Sequence, residues 1–163
     1  MNYVSQSSQI THPVFLLFQQ FLGLLQNDQG SEEANLQLLK QTLDSIIMIA
    51  NTIGPIDLDQ DYPDPENLAY PDFAALARQR FPALGLYNVP LTVASQFMQT
   101  ELGLHDAVDD LHDIAREVYE ILWRFHNTSI TDALWCFDFT MHNHMGEHIH
   151  SLRWYLFMRE YEG

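Results

Sequence analysis

Leu104-His105-Asp106-Ala107-Val108-Asp109-Asp110-Leu111-His112-Asp113-Ile114-Ala115-Arg116-Glu117-Val118, continued to Phe125, is the stretch that decides the fold. Leu104, Val108, Leu111, Ala115, Val118, Leu122 and Phe125 recur at helical spacing, with carboxylates filling the positions between them. Such a pattern belongs to an amphipathic helix with one face in a core, and the spacing predicts a long helix over 104–125. Next, Asn127-Thr128-Ser129 makes a turn, and Ser129 with Asp132 resembles a capping box. From Ile130 an apolar stripe runs through Leu134, Phe137, Met141, His144, Met145, His148, Leu152 and Tyr155. It predicts one helix reaching about residue 160, bent at Gly146 if anywhere.

On the N-terminal side, Thr11 caps a first helix with Pro13 early in it, and Val14, Leu17, Phe18, Phe21, Leu22 and Leu25 form its core stripe. Asn27-Asp28-Gln29-Gly30 reads as a turn. Ser31 then caps a second helix whose Glu32 and Glu33 suit the positive end of the dipole. Leu36, Leu39, Leu43, Ile46, Ile47 and Ala50 keep helical spacing to about Ile53, where Gly54-Pro55 stops the run. The short link predicts an antiparallel helical hairpin. Residues 54–70 are rich in Pro and Asp, 71–81 reads as a short helix, 82–90 as irregular, and 91–102 as helical. No segment alternates as a strand. The expected fold is all-α: a four-helix core with an irregular, partly helical insertion, residues 54–103, between the second and third long helices. The whole of 1–163 reads as one helical domain, with 1–10 as a tail.

Bulk properties narrow the function classes. The chain has 163 residues, 47% hydrophobic and 18% charged, a composition that builds a core rather than a disordered chain. No apolar run reaches the length of about 18 residues needed to span a bilayer, and Met1 to Gln9 lacks the basic residues that open a signal peptide. A lone cysteine, Cys136, allows no internal disulfide and fits a reducing cytoplasm. The formal net charge of −15 opposes phosphate backbones and anionic membranes, so neither nucleic acid nor membrane is an expected partner. A basic protein surface is the complementary one.

Chemistry converges at His144-Met145-Gly146-Glu147-His148. Two imidazoles at i and i+4 on the core side of a helix can meet one transition metal of the zinc type, and Glu147 completes an H-x-x-E-H pattern. The same pair also reads as buried histidines hydrogen-bonded to each other or to a carboxylate on a facing helix. On the facing stretch, Asp106, Asp109, Asp110, Asp113, Glu117 and Glu120 crowd the side opposite the apolar stripe. Their mutual repulsion would be relieved by a cation or by a basic partner. Asp110 lies on the flank nearest the core, within reach of an imidazole. Asp109, Asp110 and Asp113 are therefore candidate oxygen ligands or acceptors for His144 and His148. Asp106, Asp109, Asp113 and Glu117 are the candidate partner-binding residues.

Asp109-Asp110-Leu111-His112-Asp113-Ile114, Ala133-Leu134-Trp135-Cys136-Phe137, and His144-Met145-Gly146-Glu147-His148 through Ser151-Leu152-Arg153 together resemble a bacterial family known as domain-of-unknown-function family 5063. Tyr70 to Phe81 resembles it more loosely. Met145 stands where the family pattern has tryptophan. The resemblance implies a small helical protein without an assigned activity, and it adds Arg153 to the residues worth testing.

Other motifs fail. Asp57-x-Asp59-x-Asp61 copies the start of a calcium loop, but Tyr62 replaces the required glycine and Leu68 the bidentate glutamate. Cys136 has no adjacent base and reads as packing. Two readings of function remain. The first is a non-enzymatic helical interaction protein whose acidic face engages a basic protein. The alternative is a metal-binding four-helix protein, hydrolytic in type, using the His-x-x-x-His pair plus carboxylates.

Overall fold

A computed structural model describes residues 10–27 and 30–163; the N-terminal tail over 1–9 and the centre of the Asn27 to Gly30 turn lie outside the described residues. The chain is mainly helical. In order it forms α1 (Pro13–Gln26), α2 (Glu32–Ile53), α3 (Phe73–Arg80), β1 (Leu86–Pro90), β2 (Leu102–Asp106), α4 (Ala107–Asn127), α5 (Ile130–Asn143) and α6 (Met145–Glu162). None of the described helices is long and apolar enough to cross a membrane.

Local chemistry accounts for most boundaries. His12, rather than Thr11, caps α1: its Nδ1 accepts from the Val14 N–H at 3.2 Å, and Pro13 needs no partner for a missing donor. Ser31 Oγ accepts from Ala34 N at the start of α2, and Gly54 ends that helix with φ 73°, a conformation glycine adopts without strain. Asp72 caps α3 and Asp106 caps α4, each through a carboxylate oxygen accepting a backbone N–H. Asp109 and Asp110 in the first turn of α4 complement its dipole.

α4 is the central element, packing on α1, α3, α5 and α6, while α1 pairs with α2 and α2 touches α6. Leu111, Ile114, Ala115, Val118 and Ile121 on α4 meet Phe18, Phe21, Leu39, Leu43, Phe137, Ile149 and Leu152 in one continuous, fully buried apolar cluster. The Phe18 and Phe137 rings meet edge to face at 5.0 Å, locking α1 to α5. Arg124, near the end of α4 and 4% exposed, is held by Asp132 at 3.0 and 3.1 Å, by Glu120 and by Asp64 of the long connection. This ties the α4–α5 corner to the connection.

Two expectations are overturned. Residues 86–106 form an antiparallel ribbon, not irregular chain followed by a helix, with Leu86 opposite Asp106 and Asn88 opposite Leu104. Leu104 is consequently on a strand and exposed, not in a helical core stripe. The alternation is hidden because Leu86, Leu102 and Leu104 on the outward side are as apolar as the inward Val89, so no polar–apolar rhythm marks the strands.

The long C-terminal helix is likewise two helices. His144 leaves the helical region at φ −147°, ψ −65°, ending α5 and opening α6. Gly146 contributes differently from the expected bend. A Cβ at this position would lie 2.0 Å from the Met141 carbonyl oxygen, so only glycine lets α6 turn so close to the end of α5. The insertion between the second and third long helices therefore holds α3 and the ribbon, and the expected last helix enters the core as two, α5 and α6.

Candidate metal centre

Where α4, α6 and the ribbon meet, polar groups from all three converge. Asp110, Asp113 and Glu117 follow one another at i, i+3 and i+7 and share one flank of α4. His144 and His148 open α6 directly opposite. The chain breaks at His144, and the two imidazole centroids are 4.6 Å apart with planes at 75°.

The hydrogen-bond chain runs through the whole group. Tyr87, from β1, donates its hydroxyl to Asp110 Oδ2 at 2.5 Å. The other Asp110 oxygen faces His148 Nδ1 at 2.8 Å. His148 Nε2 lies 3.1 Å from His144 Nε2, and His144 Nδ1 lies 3.0 Å from Glu117 Oε1. Asp113 Oδ2 stands 3.5 Å from His148 Nε2. One ligand atom each from Asp113, His144 and His148 lies within 4.8 Å of the others.

Burial grades across this group. The Asp110 side chain is 3% exposed and His148 17%, whereas His144 is 51% exposed. The expectation that both histidines sit inward among the packed helices thus holds only in part: His148 is half-buried, and the helix break puts His144 at the surface. The hydrogen bond that His148 donates to Asp110, reinforced by the negative charges of Asp110, Asp113 and Glu147, holds the His148 pKa above its usual value against the opposing pull of burial. Burial, then the hydrogen bond to Asp110, push the Tyr87 phenol well above its ordinary range, so it remains a donor.

Of the residues singled out from sequence, Asp110, Asp113, Glu117, His144 and His148 are brought together. Asp109 is exposed and turned away, and Asp106 is spent on capping α4. Glu147 is exposed and reaches His148 only through its charge. Arg153 binds Asp44 with Nε–Oδ1 2.7 Å and Nη2–Oδ2 3.1 Å, joining α6 to α2 away from the histidines. Cys136 is buried, and burial pushes its thiol up to about 12, which keeps it unreactive.

Tyr87 and His105 escaped the sequence reading. His105, on β2, places Nδ1 3.6 Å from Asp110 Oδ1 and 3.5 Å from the Tyr87 hydroxyl. Both reach the site only because the ribbon pairs Tyr87 with His105 and turns that face toward α4 and α6. With the strands unreadable, no local signal marked either residue.

Comparison with known proteins yields a fold likeness and no more. No family model matches the chain, so the resemblance to family 5063 rests on the motifs quoted above. No curated protein matches either. A solved structure, protein BF1032 from Bacteroides fragilis, a structural-genomics target, is similar over 88% of this chain and 87% of its own length, with TM-score 0.63 and 12% identity.

Proposed function

We propose that the chain is a metal-binding protein in which His144 Nε2, His148 Nε2 and the Asp113 carboxylate hold one divalent transition metal of the zinc type. The observation that carries this reading is the pair of Nε2 atoms 3.1 Å apart, each on a ring whose Nδ1 faces a carboxylate. A carboxylate at Nδ1 keeps the proton there and leaves the lone pair on Nε2. Two lone pairs at that distance repel unless a proton or a cation lies between them. Two nitrogens bound at 2.0–2.1 Å to a tetrahedral zinc ion are themselves separated by roughly 3.3 Å. The observed spacing matches that edge, and Asp113 stands where a third ligand would (3.5 Å from His148 Nε2).

Asp110 and Glu117 then serve as the carboxylate partners that fix the tautomer and raise the basicity of ligating imidazoles. Three protein ligands with His144 open to solvent leave a position for water. That is the arrangement of catalytic rather than structural zinc sites, and it supports a hydrolytic centre as the finer reading.

Elemental analysis of untagged protein, before and after chelation and reloading with zinc, tests the proposal. About one metal per chain is expected, lost in His144→Ala/His148→Ala. Equal metal content in the double variant and the parent would overturn it.

A further inference from the structure

The ribbon has two faces, and the candidate metal centre accounts for only one. Tyr87 and His105 point inward to Asp110. Their neighbours along each strand point the other way, so the back face sets Leu86, Asn88 and Pro90 of β1 opposite Asp106, Leu104 and Leu102 of β2. Leu86, Leu102 and Leu104 are 63%, 65% and 66% exposed. Beyond the two strands the hairpin runs on as an arm, with Leu91 N–H donating to the Glu101 carbonyl and Thr92 N–H to Thr100 Oγ1. Its tip carries Val93 and Phe97, 79% and 78% exposed, and a wholly exposed Met98. Gln96 and Met98 take left-handed φ values of 55° and 64°, a strained conformation for residues with side chains.

Two properties of this arm select its occupant. The first is the lack of charge. From Phe81 to Thr100 no residue is ionisable except Tyr87, in a chain of net charge −15. On the back face itself the one charged group, Asp106, is engaged in capping α4. A partner recognised by its charge would find no ion of either sign here to pair with. A two-fold axis, in contrast, sets a patch against itself, so two copies of so acidic a chain can meet closely only where the surface is uncharged. Interfaces between identical chains are accordingly more apolar than others and poor in charge. The second property is size. The six exposed apolar side chains of the back face and tip present roughly 900 Å², against about 800 Å² that each partner contributes to a stable interface. We infer that this arm is the interface of a homodimer, in which the leucine faces of two ribbons pack on each other and each tip lies against the partner copy. The contact is on the opposite side of the ribbon from Asp110, so it stands or falls independently of the metal centre.

Sedimentation equilibrium on the untagged full chain tests this. A dimer is expected, and it should tighten as salt is raised, because salt screens the repulsion between two acidic chains and leaves the apolar contact in place. Leu104→Glu, which puts a carboxylate from both copies into the seam, should weaken the dimer at least roughly a hundredfold while the helical circular dichroism stays unchanged. Phe97→Ser/Met98→Ser should weaken it at least roughly tenfold. Met48→Glu, equally exposed but on α2, should leave it intact. A monomer at all concentrations, a dimer indifferent to Leu104→Glu, or a dimer loosened by salt would each overturn the inference. So would a monomer that floats with neutral phosphatidylcholine vesicles and loses that binding in Leu104→Glu, which would assign the arm to a lipid surface.

Discussion

His148 and His144 face each other through Nε2 at 3.1 Å, while the far nitrogen of each ring rests on a different carboxylate, Asp110 for one and Glu117 for the other. The relationship forms across the break between α5 and α6, where His144 has left the helical region. In the metal centre proposed above, one cation would lie between the two Nε2 atoms.

Asp110→Asn is expected to weaken zinc binding by roughly 10- to 100-fold, the usual effect of removing a carboxylate behind a ligating imidazole. The amide keeps the shape but loses the charge that makes His148 a stronger donor. Competition against a chromophoric chelator measures it. An unchanged affinity would show that Asp110 is only a packing partner.

Zinc at about a hundred times its dissociation constant adds about 2.7 kcal/mol to folding stability. For a chain of this size that is a rise of roughly 5–10 °C in Tm. The rise is expected in the parent and absent in His148→Ala, and thermal melts in the two proteins decide it.

Gly146→Ala is expected to cost about 1–3 kcal/mol or more, because the new methyl group meets a backbone carbonyl rather than a side chain that could move aside. Opening the α5–α6 junction also displaces His144 from His148. Zinc affinity should therefore fall together with the urea midpoint, a coupling that a purely structural glycine remote from the site would not produce.

Asp132→Ala leaves the buried Arg124 without its two-bond partner and the Thr128 hydroxyl without its acceptor. The cost should be about 3 kcal/mol, at the low end for a broken buried pair because Glu120 and Asp64 still hold the guanidinium. Chemical denaturation measures it. A loss below about 1 kcal/mol would mean that the remaining carboxylates suffice.

His12 ties stability to pH. Burial lowers its pKa below 6.5, and its Nδ1 caps α1 only as an acceptor, that is, in the neutral ring. A depressed folded-state value means that its contribution is fully present above 6.5 and is lost as pH falls through the folded pKa. Thermal melts from about pH 7.5 down to about 5 should show a larger loss for the parent than for His12→Asn, whose side-chain oxygen caps without titrating.

Much of the helical frame was legible because its signals are local. Ser31 and Ser129 cap where side-chain oxygens precede apolar runs, and the stripe from Val108 to Phe125 is buried as its spacing requires. The reach of Asp110 to an imidazole was legible as well, because its place on the helical wheel follows from the stripe. The ribbon was not, since its outward leucines erase the alternation that would distinguish a strand. Nor was the break at His144, whose flanking residues keep helical periodicity on both sides.

From its own residues, the chain determined an acidic, helix-dominated protein with one carboxylate-rich helix and one histidine-bearing stretch. Those properties depend on composition and on interactions within a few positions. Contacts distant along the chain decided the rest: Tyr87 and His105 reach Asp110 only through strand pairing and packing. The chain breaks at His144, where α6 closes onto Met141. A periodicity can say which face of a helix is buried, but not which groups from elsewhere arrive at its edge.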